Sequence, residues 1–342
     1  MKKTKGFTFA CFTASILLLS ACGADSSATT TSTKQDSKPA EVASDTLTVY
    51  TAGPEGLAEN IQTAFEEETG IKVEMFQAPT GKILSRMEAE ANNPVADVVV
   101  LASIPSMEGL KSEDKLQPYE PKNADKMNAD WNDLDQYYYG YSASALGVAY
   151  NTNQVKSLDA DWKAFADKEW KGRVTMPDPT TSGSAVDFLY GLTNADKNGW
   201  DTIKSWLDND VLVAGANKES LDAVITGDKD VVVSAVDYMT YEAKEKGEPV
   251  DIYYPKSGTV ISPRAAGIVA NAKHADAAKA YMDFLLSDKA QELVADAYIL
   301  PGNDSIELNN RAPLSDIPTL PFEFENIEQK QVTTLNKFLS LN

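Results

Sequence analysis

Residues 47–101 alternate between short apolar strands and amphipathic helices, and this order constrains the fold more than any other feature of the chain. The predicted strands are 47–50, 71–76 and 96–101, and the third contains the apolar run VVVL. Strands that are apolar along their length are typical of a parallel sheet covered by helices on both faces. The βαβαβ order therefore predicts an α/β fold.

A loop of small or polar residues follows each of these strands, at 51–56, 78–82 and 102–106. In an open α/β sheet the loops at the carboxyl ends of the strands line the ligand crevice. We therefore expect a binding site at this edge of the sheet. Its candidate residues are Thr51, Gly53, Glu55, Thr80, Gly81, Lys82 and Ser103.

Residues 176–192, MPDPTTSGSAVDFLYGL, predict the end of a strand followed by a buried helix. Prolines at 177 and 179 end the strand, and Thr180, Thr181 and Ser182 are good N-cap candidates. The free N–H groups of a helix N-terminus attract an anion when they face a cleft. The candidate ligand residues here are Thr181, Ser182, Gly183 and Ser184. A capped helix that binds nothing is the alternative interpretation.

The N-terminus has the build of a secretory signal. Lysines at positions 2, 3 and 5 precede an apolar run at 7–19 that is too short to span a bilayer. The run ends in Leu-Ser-Ala-Cys, which resembles the bacterial lipobox and predicts lipidation of Cys22. The following residues to 45 are mostly small and polar, as in a flexible tether. We expect a protein held by lipid on the extracytoplasmic face of the cell membrane.

The charge and the cysteine count exclude several functions. The net charge is −20, and about −23 without the three signal lysines, which argues against nucleic acid and against attraction to anionic lipid headgroups. Neither of the two cysteines is left for a disulfide, a metal site or a nucleophile. The single histidine, His274, and the absence of the common catalytic motifs disfavour a hydrolase. We predict a binding protein without enzymatic activity and without a cofactor.

Four stretches together resemble the extracellular solute-binding proteins of ABC importers. They are LTVYTAGPEGLAENIQTAFEEETGIKVE, ADVVVLAS, MPDPTTSGSA and HADAAKAYMDFLLSDKAQELVA. The most similar branch comprises the receptors for ferric iron, 2-aminoethylphosphonate and sugar phosphates. The resemblance implies a type II periplasmic-binding-protein fold, in which two α/β lobes enclose a central cleft and crossing strands near 142–150 and 259–264 join them.

The resemblance also implies the domain organisation and the partners. The expected divisions are a signal peptide at 1–21, a lipid-anchored linker at 22–45, one lobe at 46–143 plus 262–300, a second lobe at 144–261 and a C-terminal helical segment at 301–342. A monomer would capture its solute between the lobes and deliver it to a membrane permease driven by an ATPase. A surface adhesin is an alternative, which the small-residue loops at the strand ends disfavour.

Two ligand classes remain open. Lys82, the helix N-termini and Arg264 favour a phosphonate or a phosphate ester, with Asp237 receiving the amine of a zwitterionic solute. Solvated surface charges are the alternative for the two cations. Ferric receptors of the family typically use paired adjacent tyrosines, which here would correspond to Tyr238 and, because residue 239 is Met, to Tyr241. No histidine occurs at 51–55 and Ser103 replaces an acid, so this chain departs from the ferric pattern.

Overall fold

The computed structural model describes residues 46–323 and 326–341, and it begins with the predicted alternation. The first elements are β1 (Thr46–Thr51), α1 (Glu55–Thr69), β2 (Lys72–Gln77), α2 (Thr80–Ala89), β3 (Val98–Leu101) and α3 (Ile104–Ser112). Strand β1 pairs in parallel with both β2 and β3, so the predicted βαβαβ unit is confirmed. The predicted signal peptide, the Cys22 lipid site and the tether lie outside the described residues.

The remaining elements continue the mixed α/β order. They are β4 (Leu116–Gln117), β5 (Tyr139–Asn151), β6 (Val174–Met176), α4 (Gly183–Ala195), α5 (Gly199–Asp208), β7 (Leu212–Val213), α6 (Asn217–Ile225), β8 (Val231–Val236), α7 (Asp237–Glu245), β9 (Val250–Tyr253), β10 (Ile261–Val269), α8 (Ala275–Leu285), α9 (Asp288–Asp296), β11 (Leu300–Pro301) and α10 (Ile327–Leu339). Short 3₁₀ segments lie at 124–126, 129–131, 162–166, 168–170 and 314–316.

The strands form one sheet in the order β2-β1-β3-β10-β5-β8-β6-β7. We call β2-β1-β3 the first half of the sheet and β8-β6-β7 the second half. The long strand β5 pairs with β10 over its first part and with β8 over its second part. The predicted crossing strands therefore correspond to β5 and to the beginning of β10.

Both faces of the first half are buried. Leu47 and Val49 of β1 lie in one hydrophobic cluster, with Phe65 of α1. Tyr50, from the same strand, lies in another cluster with Ile83 of α2. Since successive side chains of a strand point to opposite faces, helices cover the sheet on both sides, as the apolar strands predicted.

Capping residues define the C-terminus of α1 and the N-termini of α3 and α4. Gly70 closes α1 in the left-handed conformation, with a φ of 75° that favours glycine. Ser103 and Ser182 cap α3 and α4, each accepting a hydrogen bond from a backbone N–H group in the first turn. These caps fix the backbone next to the strand ends.

The C-terminal segment packs back onto both halves of the sheet. Strand β11 pairs with β5, and α10 packs against α3 and α4. Phe338 of α10 is 1 % exposed and lies in the core of the second half, with Trp206. Within residues 46–323 and 326–341, no helix combines the length and the apolar character needed to cross a membrane.

Candidate functional site

Arg264 is a buried cation at the centre of the sheet. It lies on β10 opposite Ser142 of β5, next to an irregularity in the pairing, and is only 7 % exposed. Its Nη1 donates a hydrogen bond to Ser144 Oγ at 2.8 Å. Its Nε and the Ser142 hydroxyl are buried and have no partner at hydrogen-bond geometry among the described residues. Buried polar groups are nearly always hydrogen-bonded, so these two atoms point to a function.

Two tyrosines lie beside this guanidinium group. The ring centre of Tyr238, the second residue of α7, is 5.3 Å from the guanidinium carbon of Arg264. Burial raises the pKa of the Tyr141 phenol, although the Arg264 charge and Ser142 act in the opposite direction. Burial also raises the pKa of Tyr238, again against the Arg264 charge. Both phenols therefore keep their protons at neutral pH and can donate hydrogen bonds.

The loop after β1 reaches this cluster through Gly53. A Cβ atom at Gly53 would lie 3.1 Å from Thr51 Oγ1 and 3.2 Å from the hydroxyl of Tyr141. The Gly53 N–H donates to Thr51 Oγ1 at 3.0 Å, and Gln77 Nε2 donates to the Gly53 carbonyl at 2.9 Å. The structure thus brings the predicted residues Thr51 and Gly53 next to the Tyr141 phenol, which lies close to Arg264.

The loops after β2 and β3 are joined to each other. Thr80 Oγ1 accepts a hydrogen bond from the N–H of residue 102 at 3.3 Å, and Ser103 is buried as the cap of α3. By contrast, Glu55, Gly81 and Lys82 are exposed. The backbone N–H of Lys82 donates to the Pro79 carbonyl at 2.9 Å, whereas its side chain makes no hydrogen bond or ion pair within the described part of the chain.

The predicted turn at 180–184 is tied to the N-terminus of α6. Ser182 Oγ donates to Asn217 Oδ1 at 2.9 Å, and Asn217 Nδ2 donates to Ser184 Oγ at 3.1 Å. Thr181 Oγ1 donates to the carbonyl of Gly215 at 3.1 Å. The N-termini of α4 and α6 therefore lie side by side, although the Ser182 and Ser184 hydroxyls already have partners; Gly183 is exposed.

Asp237 is engaged with neighbouring side chains. Its Oδ2 accepts hydrogen bonds from Arg311 Nη2 at 2.8 Å and from the Tyr254 hydroxyl at 3.0 Å. Its Oδ1 accepts from the backbone N–H of Tyr238 at 2.8 Å. The Asp237 and Arg311 side chains are both fully buried. Three groups of the protein thus already donate hydrogen bonds to the Asp237 carboxylate. Its role as a receptor for a solute amine stays a prediction.

The two tyrosines of the iron alternative contact different cations. Tyr238 lies against Arg264, whereas the ring of Tyr241 is 5.3 Å from the guanidinium carbon of Arg311. The hydroxyl of Tyr241 is 3.3 Å from that of Tyr254. Among residues 46–323 and 326–341, no group of three or more His, Cys, Asp and Glu side chains is arranged to hold a metal ion.

Sequence reasoning missed several residues of this region. They are Tyr141, Ser142, Ser144, Asn217 and Arg311. A signal existed for Ser142 and Ser144, because small hydroxyl residues at every second position mark one face of a strand. The pairing of Arg311 with Asp237 gave no local signal, since the two residues are 74 positions apart.

Comparisons with known proteins agree with this architecture. Residues 93–324 match the family described as bacterial extracellular solute-binding protein. Iron uptake protein A1 of Synechocystis is 24% identical over 81% of this chain and 79% of its own length. A Salmonella typhimurium protein, provisionally named a 2-aminoethylphosphonate-binding periplasmic protein, is 24% identical over 68% of this chain and 70% of its own length.

A solved structure extends the agreement to the fold. The periplasmic binding protein AfuA of Actinobacillus pleuropneumoniae, with fructose-6-phosphate bound, superposes with a TM-score of 0.78 at 21% identity. The match covers 86% of this chain and 97% of AfuA. The fold class predicted from the sequence, the type II periplasmic-binding-protein fold, is confirmed.

Proposed function

The chain belongs to the family of bacterial extracellular solute-binding proteins, and from that premise we propose that it captures a small oxyanion-bearing solute, a phosphonate or a phosphate ester, for an ABC importer. The solute binds between the halves of the sheet, and the loaded protein delivers it to the permease. Binding shifts the protein toward a closed state, and no covalent bond is made or broken.

The observation that carries this proposal is the unpaired Nε of Arg264. Burying a charged group is costly unless an opposite charge and hydrogen bonds compensate for it. Within the described residues no carboxylate forms an ion pair with Arg264, whereas Arg311 pairs with Asp237. An oxyanion would supply both the charge and the missing acceptor, since guanidinium groups bind phosphate and carboxylate oxygens strongly.

Neighbouring groups add donors of the correct type. The Ser142 hydroxyl has no partner among residues 46–323 and 326–341, and the raised pKa values of Tyr141 and Tyr238 keep both phenols protonated. Protonated hydroxyls donate to an anion without adding charge of the same sign. The N-termini of α3 and α4 add partial positive charge at the strand ends. The bound fructose-6-phosphate of AfuA and the name of the Salmonella relative support the same solute class.

Ferric iron is the second candidate, because Iron uptake protein A1 is a relative. Fe(III) requires hard anionic oxygen ligands, and here these would come from Tyr238 and Tyr241. Burial raises the pKa of the Tyr238 phenol in the metal-free protein. The tyrosines also lie against separate arginines, which favours the oxyanion proposal.

Native mass spectrometry of the full chain, purified without chelator and released from detergent, tests both candidates. The expected result is an adduct with the mass of a small organic phosphate or phosphonate, or binding of 2-aminoethylphosphonate or fructose 6-phosphate in calorimetric titration. An iron adduct with no response to either compound would contradict the oxyanion proposal. The predicted lipid on Cys22 is tested in the same spectrum by the mass of the chain.

A further inference from the structure

Arg311 connects two parts of the chain that belong to different halves of the sheet. Its Nη1 donates to the carbonyl of Tyr298 at 2.6 Å, just before β11. The neighbouring Ile299 belongs to the core of the first half of the sheet. Its Nη2 donates to Asp237, the first residue of α7, which follows β8 of the second half.

The Asp237 carboxylate links Arg311 to Tyr238, which lies beside Arg264. Its Oδ1 accepts from the backbone N–H of Tyr238, whose ring lies against Arg264. Tyr254 donates to the same carboxylate, and the Tyr241 hydroxyl accepts from the N–H of Ala312 at 3.3 Å. The first turn of α7 is therefore held from the C-terminal segment by a continuous set of hydrogen bonds.

A buried ion pair of this kind is weak evidence for stability, because desolvation offsets much of the attraction between the charges. Such pairs instead fix one arrangement when their hydrogen bonds are all made. All three nitrogens of Arg311 donate hydrogen bonds, since Nε also donates to the carbonyl of Ala312. This complete pairing contrasts with Arg264, whose Nε has no partner in the part of the chain that the structure describes.

We propose that Arg311 is a positioning residue of the solute site: it holds Asp237, and thereby fixes Tyr238 of α7 against Arg264 of β10. Its effect on solute affinity rests on the proposed function, whereas its effect on α7 does not. Asp237 then serves as the partner of Arg311 rather than as a receptor for a solute amine.

The deciding experiment is amide hydrogen exchange on the ligand-free full chain. We expect Arg311→Gln to speed exchange of the amides at 238–241 by at least about tenfold, because the hydrogen bonds that hold the first turn of α7 through Asp237 are lost. Arg311→Lys keeps a charge beside Asp237 and should restore most of the protection. Arg173→Gln is the matched control, since Arg173 pairs with Asp230 at the opposite end of β8.

The double variant Asp237→Asn with Arg311→Gln guards against misfolding, because it leaves no unpaired buried charge. We expect it to fold and still to exchange faster than the parent at 238–241. Unchanged exchange in Arg311→Gln and in the double variant would overturn the proposal. A failure of Arg311→Lys to restore the protection would overturn it as well.

Titration of the same samples with fructose 6-phosphate and 2-aminoethylphosphonate separates this proposal from the proposed function. If the parent binds one of them, Arg311→Gln should weaken that affinity by roughly tenfold, and Arg311→Lys by less. An affinity unchanged in Arg311→Gln would contradict the positioning role. A parent that binds neither compound would count against the proposed function alone, since exchange still decides the role of Arg311.

Discussion

Asp187 of α4 accepts a hydrogen bond from the Ser262 hydroxyl of β10 at 2.6 Å. The side-chain amide of Gln331 in α10 donates to its other oxygen. The carboxyl group is 3 % exposed, and neither partner carries a charge. One buried acid thus joins a site helix, a crossing strand and the C-terminal helix.

This relationship predicts a pH dependence of stability. Burial raises the pKa of Asp187 from 3.8 to about 7, against the opposing effect of its two hydrogen bonds. Between about pH 4 and pH 7 the folded state therefore holds a proton that the unfolded state has lost. We expect the contribution of Asp187 to the free energy of unfolding to fall through this range and to level off above it. The total loss should be on the order of 4 kcal/mol.

Urea denaturation of Asp187→Asn between pH 4 and pH 8 checks this prediction. The variant cannot ionise, so its stability relative to the parent should improve as the pH rises. Asp276→Asn is the control, because the Asp276 side chain is 87% exposed and should leave the pH profile unchanged. A constant difference between Asp187→Asn and the parent at all pH values would show that burial does not perturb this carboxyl.

Replacing Arg264 should weaken the binding of an anionic solute. Arg264→Met removes the charge-assisted hydrogen bond and should cost about 1–3 kcal/mol, or roughly 5- to 150-fold in affinity. Arg264→Lys keeps the charge but loses the planar donor geometry, so its loss should be smaller. Calorimetric titration with the solute identified by mass spectrometry measures both. Equal affinities of Arg264→Met and the parent would show that Arg264 is not the anion receptor.

The first half of the fold could be predicted because its signals are local. Runs of apolar residues predicted the strands β1 and β3, and the glycine at position 70 predicted the end of α1. Both signals depend on residues that are neighbours in the sequence. Ser182 was likewise predictable as one of three cap candidates, since an N-cap acts on a backbone group three residues away. These features depend on short-range geometry, which the sequence displays directly.

The details of the site depend on contacts between distant residues. Arg264 was identified as a cation on a crossing strand, but its approach to Ser144 joins positions 120 apart. Arg311, the partner of Asp237, lies 74 positions away, so nothing in the sequence indicated this ion pair. Which charged groups become buried and paired depends on contacts between distant residues, and no local sequence pattern shows these contacts.

Gly53 is predicted to be required for close packing of the loop after β1. In Gly53→Ala the new methyl carbon would lie 3.1–3.2 Å from two side-chain oxygens, which is tighter than ordinary contact. We expect roughly tenfold weaker solute binding, because the loop and the Tyr141 phenol must move apart. Gly56→Ala is the matched control, since nothing lies within 4 Å of its added carbon. A similar affinity in both variants would exclude this role for the loop.

The iron alternative makes a spectroscopic prediction of its own. Phenolates that bind Fe(III) give a visible charge-transfer band, and the positive charges of Arg264 and Arg311, which lie beside Tyr238 and Tyr241, oppose the binding of a trivalent cation there. We therefore expect no such band when the full chain is titrated with ferric citrate at neutral pH. Tyr238→Phe and Tyr241→Phe should then give spectra identical to that of the parent. A band in the parent that Tyr238→Phe abolishes would establish phenolate ligation, and with it the ferric function in place of the oxyanion one.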